Sequence, residues 1–403
     1  MASRSDTTTA ADATAGGVAT TLSEASFVRV RCSADADGLA AAGLLCRGLR
    51  RADVPFQVRV ASVRTDPPAG DDDGLSVSVG SAHPGSDLAI APDDGSASLD
   101  AYRTVVDMDR TGGSAPDPVL ALAGAVAGGA HPESVAGSLV EAAEDAGRVT
   151  RRPGVAIPVA DPADGLAHST LLHAPFSGDR DAAAAALSSL SIPDGDLDAD
   201  ARRSIASRVA LAVASDGDAP PHAADAIERA LSPYATPDAP VATLGGFADV
   251  LTAAARERPG TGIALVLGHG GRDVAVDAWR AHGAAVHRAL GSAPTERHDG
   301  VSVVRVAEAP EPAGIADSPG RLATLARLAR DFRSPEPLVV ALGDGVAAVS
   351  TREAGAADAA ATIAAEFPAA DGTWIGGPKR ALARIDPGTP VPEVVAAIRG
   401  RSA

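Results

Sequence analysis

The chain has 403 residues, of which 45 % are hydrophobic but only 2 % aromatic, so its cores must be built from Val, Leu, Ile and Ala. That length suits two or three domains. The formal net charge is −17, Lys379 is the only lysine, and no apolar run approaches the roughly 20 residues needed to cross a bilayer. Residues 1–24 are small, polar and aperiodic, and are expected to be a disordered tail. A strand is predicted at Phe27–Cys32, where Val28 and Val30 alternate with Arg29 and Arg31, and a helix follows from Asp37-Gly38 through Arg51. Further strands are predicted at Phe56–Val60, Leu75–Val79, Leu88–Ile90 and Thr104–Val106. From Pro118 the pattern turns helical, with segments at Pro118–Gly128, Pro132–Gly147, Arg180–Leu190, Ala199–Ala214, Ala223–Leu231 and Gly245–Arg258. A strand at Ile263–Leu267, a helix at Arg321–Arg333, strands at Leu338–Leu342 and Ala347–Ser350 and a helix at Ala356–Phe367 complete the reading. Strands alternating with helices predict an α/β protein with a doubly wound parallel sheet over residues 25–130. A helical connecting region over 131–260 and a smaller α/β domain over 261–403 follow it.

The absence of an export signal argues for a soluble cytoplasmic protein. A carboxylate-dense surface nearly devoid of lysine fits a cytosol of molar salt, where screening collapses self-repulsion, although a GC-rich genome favours the same residues. Naked DNA is a poor partner for such a surface, since counterion release needs clustered cations and weakens steeply with salt. Any contact with single-stranded nucleic acid therefore has to be local or shared with other subunits. Cys32 and Cys46 lie on a strand and a helix with no four-ligand zinc pattern around them, and are expected to be buried thiols. The nine histidines have no carboxylate neighbour at metal-site spacing, and the glycine strings 268–271 and 343–345 do not fit a dinucleotide-binding unit.

The candidate site is Ser33-Ala34-Asp35-Ala36-Asp37-Gly38, two carboxylates just past a strand and before a helix. Open α/β sheets place their sites at this carboxyl edge, and hard divalent cations need such oxygen ligands. The bland alternative is that Asp37 is a helix N-cap and Asp35 a turn former. The longer string Ala34–Gly43 resembles the first motif of DHH phosphoesterases. Val77–Ser81, Leu122–Val126, Leu244–Arg256 and Ile375–Lys379 continue the resemblance in order, the last being similar to the glycine-rich signature of a DHHA1 domain. The chain thus resembles the archaeal RecJ-like members of the DHH/DHHA1 family.

That resemblance implies a phosphodiesterase with two metals held by Asp and His ligands, and its departures are specific. Ser78 stands where the second motif has an aspartate, the aspartate-histidine-histidine triplet is missing, Gly128 falls near the fourth-motif aspartate, and Pro378 replaces a histidine. Asp35 and Asp37 are the retained catalytic and metal positions; the triplet would fall at Pro92-Asp93-Asp94 or Asp107-Met108-Asp109, neither with a histidine, and Asp107, Asp109 or the 71–73 aspartate run are the candidate substitute ligands. Such a set would hold no cofactor, or one weakly bound Mn²⁺ or Mg²⁺. For phosphate contact the resemblance implies Arg352, with Gly376, Gly377, Lys379 and Arg380 forming a backbone nest flanked by cations. Arg321, Arg327, Arg330 and Arg333 form a basic cluster that pairing with nearby acids explains equally well. Two functions follow. One is a degenerate pseudo-nuclease acting as a nucleic-acid-linked scaffold in replication or repair, with GINS, and through it the MCM helicase, as implied partners. The other is an active manganese-dependent single-strand-specific exonuclease or phosphodiesterase.

Overall fold

The computed structural model of the chain describes residues 8–9, 15–61, 74–81, 85–90, 95–109, 115–128, 131–190, 192, 196–231, 233–306, 314–369 and 373–400. In chain order its elements begin β1 (Thr8–Thr9), α1 (Ala15–Glu24), β2 (Val28–Cys32), α2 (Ala36–Arg51), β3 (Phe56–Val60), β4 (Leu75–Val79), β5 (Leu88–Ile90) and α3 (Ala97–Met108). Next come α4 (Pro118–Val126), α5 (Pro132–Asp145), β6 (Thr150–Arg151), α6 (Pro162–His168), α7 (Arg180–Leu187), α8 (Ala199–Ala214), α9 (Ala223–Glu228), β7 (Tyr234–Ala235), α10 (Leu244–Glu257), α11 (Pro259–Val266) and α12 (Arg272–Ser292). The last are β8 (Thr295–His298), β9 (Val301–Arg305), α13 (Pro319–Phe332), β10 (Leu338–Gly343), β11 (Val346–Thr351), α14 (Ala356–Glu366), β12 (Trp374–Gly376), β13 (Arg380–Arg384) and α15 (Val391–Arg399). No helix among the described residues is long and apolar enough to cross a membrane.

Two compact units emerge, residues 1–151 with 234–278 and residues 152–233 with 279–403. This differs from the expected boundary near residue 260: the helical stretch is divided, and 152–233 belongs with the C-terminal sheet. The reason is its apolar face, because Leu166, Leu172, Ile205 and Val209 share one core with Leu325, Phe332, Val339 and Val346.

In the first unit a five-stranded sheet runs in the order β1-β5-β4-β2-β3, and every neighbouring pair is parallel. Parallel neighbours need long crossovers, which the helices supply. Val28, Val30 and Cys32 are buried on one face of β2, as their alternation predicts. Helix α2 is rich in glycine because its neighbours come close. A Cβ at Gly43 would lie 2.6 Å from Val266 Cβ, and one at Gly48 would lie 2.8 Å from Val105 Cγ2.

Three expectations are corrected here. Residues 15–24 of the supposed tail form α1, which buries Val18, Ala19 and Leu22. Thr104–Val106, expected as a strand, lies inside α3; Leu99, Ala101 and Val105 are buried while Val106 is exposed, which is a helical pattern. Ile263–Leu267 is also helical through Val266, since Pro259 starts α11 at its first turn and Val266 packs on Gly43. In both cases β-branched composition yields to tertiary packing.

The second unit is built on a six-stranded sheet in the order β12-β13-β11-β10-β9-β8, in which only β9 and β10 run parallel. One face packs on α13 and the helical stretch, the other on α14 and α15 through Val340, Val349, Ile363 and Val394. The arginines of α13 are anchored within this unit. Arg330 donates to Ser350 Oγ at 3.1 Å, to Thr351 O at 2.7 Å and to Asp331 at 2.7 Å, while Arg229 reaches the same buried carboxylate at 3.4 Å. Arg327 donates to Thr170 O at 2.8 Å and Arg321 to Gly314 O at 2.6 Å. Pairing and anchoring, rather than a free basic stripe, accounts for this cluster.

Arg333 extends the seam into a buried histidine pair. It meets Asp216 and Asp218 at 3.4 and 3.1 Å and donates to His173 Nε2 at 3.0 Å. His173 Nδ1 lies 3.1 Å from His287 Nδ1, and His287 Nε2 lies 2.9 Å from Ser169 O. One proton arrangement satisfies every atom: His287 donates from Nε2, His173 donates from Nδ1, and both rings are neutral. Burial, followed by the neighbouring His287 and Arg333, pulls His173 down from its ordinary 6.5 to about 3. Below pH 6.5 the unfolded chain therefore takes up a proton that the folded chain refuses. This contribution is complete above that pH and declines by up to about 1.4 kcal/mol per pH unit as the pH falls toward 3. Denaturant unfolding across this range should show a shallower acid slope for His173→Leu than for the wild type; equal slopes would contradict the assignment.

Candidate metal centre and phosphate-contact residues

The carboxyl edge of the first sheet is drawn together by backbone bonds: Ser33 N–H donates to Val79 O and Gly80 N–H to Ile90 O, both at 2.9 Å. Asp35 is the N-cap of α2, with extended backbone (φ −145°) and Oδ1 accepting from Gly38 N at 2.9 Å. Ser33 Oγ donates to the same oxygen at 3.1 Å. The hydroxyl of Ser33 is wedged between two glycines, since a Cβ at Gly38 or at Gly80 would fall 2.1 Å from it. No larger side chain fits at either glycine.

Asp37 points away from Asp35's cap and grips the start of α3. Its Oδ1 accepts from Ser96 Oγ at 2.7 Å and from Ser98 N at 3.0 Å, and its Oδ2 accepts from Ala97 N at 2.8 Å. Ser96 is itself the N-cap of α3, and Ser98 Oγ passes the chain on to Ala121 O of α4 at 2.8 Å. A carboxylate at a helix N-terminus meets unpaired N–H groups and the positive end of the dipole. Burial pushes the Asp37 carboxyl above its ordinary range and Asp35 adds repulsion, while the Ser96 and Ser98 donors pull it back. The N-cap role in α2 thus falls to Asp35, expected as a turn former, and not to Asp37, which accepts instead from the first N–H groups of α3 beside its N-cap Ser96.

The remaining candidates do not converge on this pair. Asp107 is exposed in the last turn of α3 and Asp109 is its C-cap, at the end opposite Ser98. Asp107 lies nine residues on from Ser98, which puts about 13 Å between them along the axis. Ser78 is fully buried and donates to Leu88 O at 3.3 Å, and Gly128 is exposed in the turn after α4. Asp93, Asp94 and the 71–73 run lie outside the described residues. Among the described residues no group of three or more His, Cys, Asp and Glu side chains is placed to hold a metal ion. A carboxylate offers about four acceptor positions, and three on Asp37 and two on Asp35 are taken by protein donors. That donor set does not fit a two-metal centre.

In the second unit the expected phosphate nest is also closed. Gly377 N–H donates back to Arg380 O at 2.9 Å, turning the hairpin between β12 and β13. Pro378 O, at the expected histidine position, accepts from Gly355 N at 2.9 Å and Ala356 N at 2.8 Å and so closes the N-terminus of α14. Arg352 Nη1 meets His222 Nδ1 at 2.9 Å and Nη2 donates to Pro335 O at 3.3 Å. His222 in turn presents Nε2 to Arg330 O at 2.8 Å, which fixes its tautomer and makes Nδ1 the acceptor for Arg352. Arg380 lies close enough to Arg229 to disfavour its charge, and Lys379 is exposed at the turn. The structure brings Gly376, Gly377, Lys379 and Arg380 onto one hairpin, where the Gly377 N–H is spent on Arg380 O and does not join a nest. Sequence reasoning passed over Ser96 and Ser98; the signal was a serine before an amphipathic run, an ordinary N-cap pattern.

A family model described as "Uncharacterized protein rrnAC1427, C-terminal domain" matches residues 293–400. The protein rrnAC1427 of Haloarcula marismortui is 43 % identical over 376 residues, covering 93 % of this chain and 93 % of its own. The chain belongs to the rrnAC1427 family. Among solved structures, CDC45 from Entamoeba histolytica matches this rrnAC1427-family chain with a TM-score of 0.57 at 8 % identity, over 93 % of this chain and 95 % of that one. RecJ from Thermus thermophilus in complex with Mn²⁺ matches with a TM-score of 0.52 at 16 % identity, over 96 % of this chain and 54 % of that one. The rrnAC1427-family chain therefore spans about half the length of that RecJ. These likenesses are of fold: a parallel α/β sheet with a separate C-terminal sheet, as in those RecJ and CDC45 structures.

Removal of the Asp37 carboxylate should act on folding. Asp37→Ala leaves two helix N–H groups and a hydroxyl without their acceptor and should cost about 3 kcal/mol, against about 1 kcal/mol for Asp35→Ala, which loses one cap. Urea unfolding of both variants measures this. Wild-type stability in Asp37→Ala together with lost Mn²⁺ binding would identify a ligand instead.

Proposed function

We propose that this chain is a catalytically degenerate RecJ-like protein that serves as a nucleic-acid-linked scaffold in the archaeal replication or repair machinery. The observation that carries this reading is the engagement of Asp37 by Ser96, Ala97 and Ser98 where the hydrolytic family needs a metal ligand. Two-metal hydrolysis requires several carboxylates and imidazoles acting as a unit, so the loss of several leaves little rate. The likeness to CDC45 supports a role within replication, with GINS and through it the MCM helicase as the partners. The carboxylate-rich surface supports work in the salt-rich cytoplasm of an archaeon such as the source of the Haloarcula relative. Contact with single-stranded nucleic acid would have to be local or shared with other subunits, since the overall charge of −17 opposes counterion-release binding.

The test is manganese-dependent degradation of end-labelled single-stranded DNA and RNA in concentrated KCl, comparing wild type with Asp35→Ala, the milder of the two cap variants. The expected result is no release of nucleotides by either protein and recovery of GINS with the full-length chain from an archaeal extract. Digestion by the wild type that disappears in Asp35→Ala would overturn the scaffold reading in favour of an active manganese-dependent exonuclease.

A further inference from the structure

The outer strand of the second sheet, β12, pairs with β13 and with no other described strand. Its register opposes Trp374 to Ala383, Ile375 to Leu382 and Gly376 to Ala381. Flanking bonds run from Arg384 N to Thr373 O at 2.8 Å and from Gly377 N to Arg380 O at 2.9 Å. In an antiparallel pair, hydrogen-bonded and non-bonded positions alternate. The bonded positions here are therefore 373, 375 and 377, and the N–H and C=O groups of Trp374 and Gly376 face outward. That is a short template for one more strand.

The side chains along this edge are unusual for the molecule. Trp374 is 40 % exposed, whereas the other tryptophan, Trp279, is fully buried. Aromatics make up only 2 % of the chain, so an exposed indole is costly in a protein with few to place. From Trp374 to Arg384 the hairpin carries Lys379, Arg380 and Arg384 and no acid, in a chain of net charge −17. Lys379, the only lysine, is exposed at the turn. Gly376 (φ +148°) could not be another residue, because its Cβ would sit 2.4 Å from Ala381 Cα; its bareness leaves the outward backbone beside Trp374 uncovered.

We propose that β12 is a docking edge for an extended acidic segment of a partner protein. The segment adds a strand along Trp374–Gly376, lays an apolar side chain on the indole, and meets the exposed Lys379 with a carboxylate. A second copy of this chain is a poor occupant, because the edge is three residues long and runs into a proline and a lysine. Short length, proline and lysine are the devices by which edges discourage self-pairing, and Pro378 and Lys379 supply both here. Direct ion pairs at contact distance retain part of their strength in concentrated salt, where longer-range steering is screened. This inference rests on the scaffold reading and names a partner surface for it, but its test reads binding and not hydrolysis, so either can fail without the other.

The probe is a fluorescein-labelled heptapeptide, Asp-Val-Glu-Val-Asp-Val-Glu, titrated against the full chain by anisotropy in concentrated KCl, with a lysine-for-acid counterpart and a labelled single-stranded oligonucleotide alongside. The acidic peptide should bind with a blue shift of tryptophan emission. Trp374→Ser and Lys379→Glu should each weaken it about tenfold with unchanged melting temperature. Equal binding of the acidic and basic peptides, or wild-type affinity in both variants, would overturn the proposal. So would an oligonucleotide that displaces the peptide and binds more tightly than it does, since the edge would then be a nucleic-acid surface.

Discussion

The first unit depends on one carboxylate. Asp37 sits in the opening turn of α2 and takes three hydrogen bonds from residues 96–98, so it fixes where α3 begins relative to the strand–helix unit that carries it. Ser98 then ties that junction to α4. These bonds are short and half-buried, which makes them nearly insensitive to ionic strength, unlike the exposed pairs that molar salt screens. The same position is where the hydrolytic relatives suggested by the sequence motifs need a metal ligand. One carboxylate cannot fill all these bonds and also share in a rigid pair of metals.

A parallel arrangement occurs in the second unit. There the carbonyl of Pro378 accepts from the first N–H groups of α14, at the position where the motif resemblance implies a histidine. In each unit the chain's own acceptors thus engage a helix N-terminus, Asp37 that of α3 and Pro378 O the first N–H of α14. Within the second unit, Arg330 ties α13 to β11, and Arg333 with the His173–His287 pair ties the end of α13 to α12 through buried polar contacts. The chemistry-bearing residue types are present, but their bonds run inward.

Much of the architecture was legible from pattern. Alternation placed β2, helical periodicity placed α8 at its observed limits, and the order of motif-like strings pointed to the RecJ-like DHH fold. Where pattern misled, long-range contacts were responsible. The Thr104–Val106 run is rich in β-branched residues, yet burial of Val105 against Gly48 makes it helical. Val266 likewise packs on Gly43, which no local window reveals. At the site, the retention of Asp35 and Asp37 was visible but their duties were not, because the partners of Asp37 lie 59 to 61 residues away. Asp107 and Asp109 were reasonable ligands only while residues 104–106 were taken as a strand; once α3 is continuous, they fall at its far end.

Asp35 caps α2 and Asp37 accepts from the start of α3, and the proposed loss of hydrolysis rests on that engagement. Anomalous diffraction at the manganese edge, from crystals soaked in MnCl₂, is the sharpest check on that assignment. No pair of peaks is expected beside Asp35 and Asp37, and the bonds from Ser96, Ala97 and Ser98 to Asp37 should be unchanged. Two peaks about 3.5–4 Å apart, with Asp37 turned away from α3 to bridge them, would refute it.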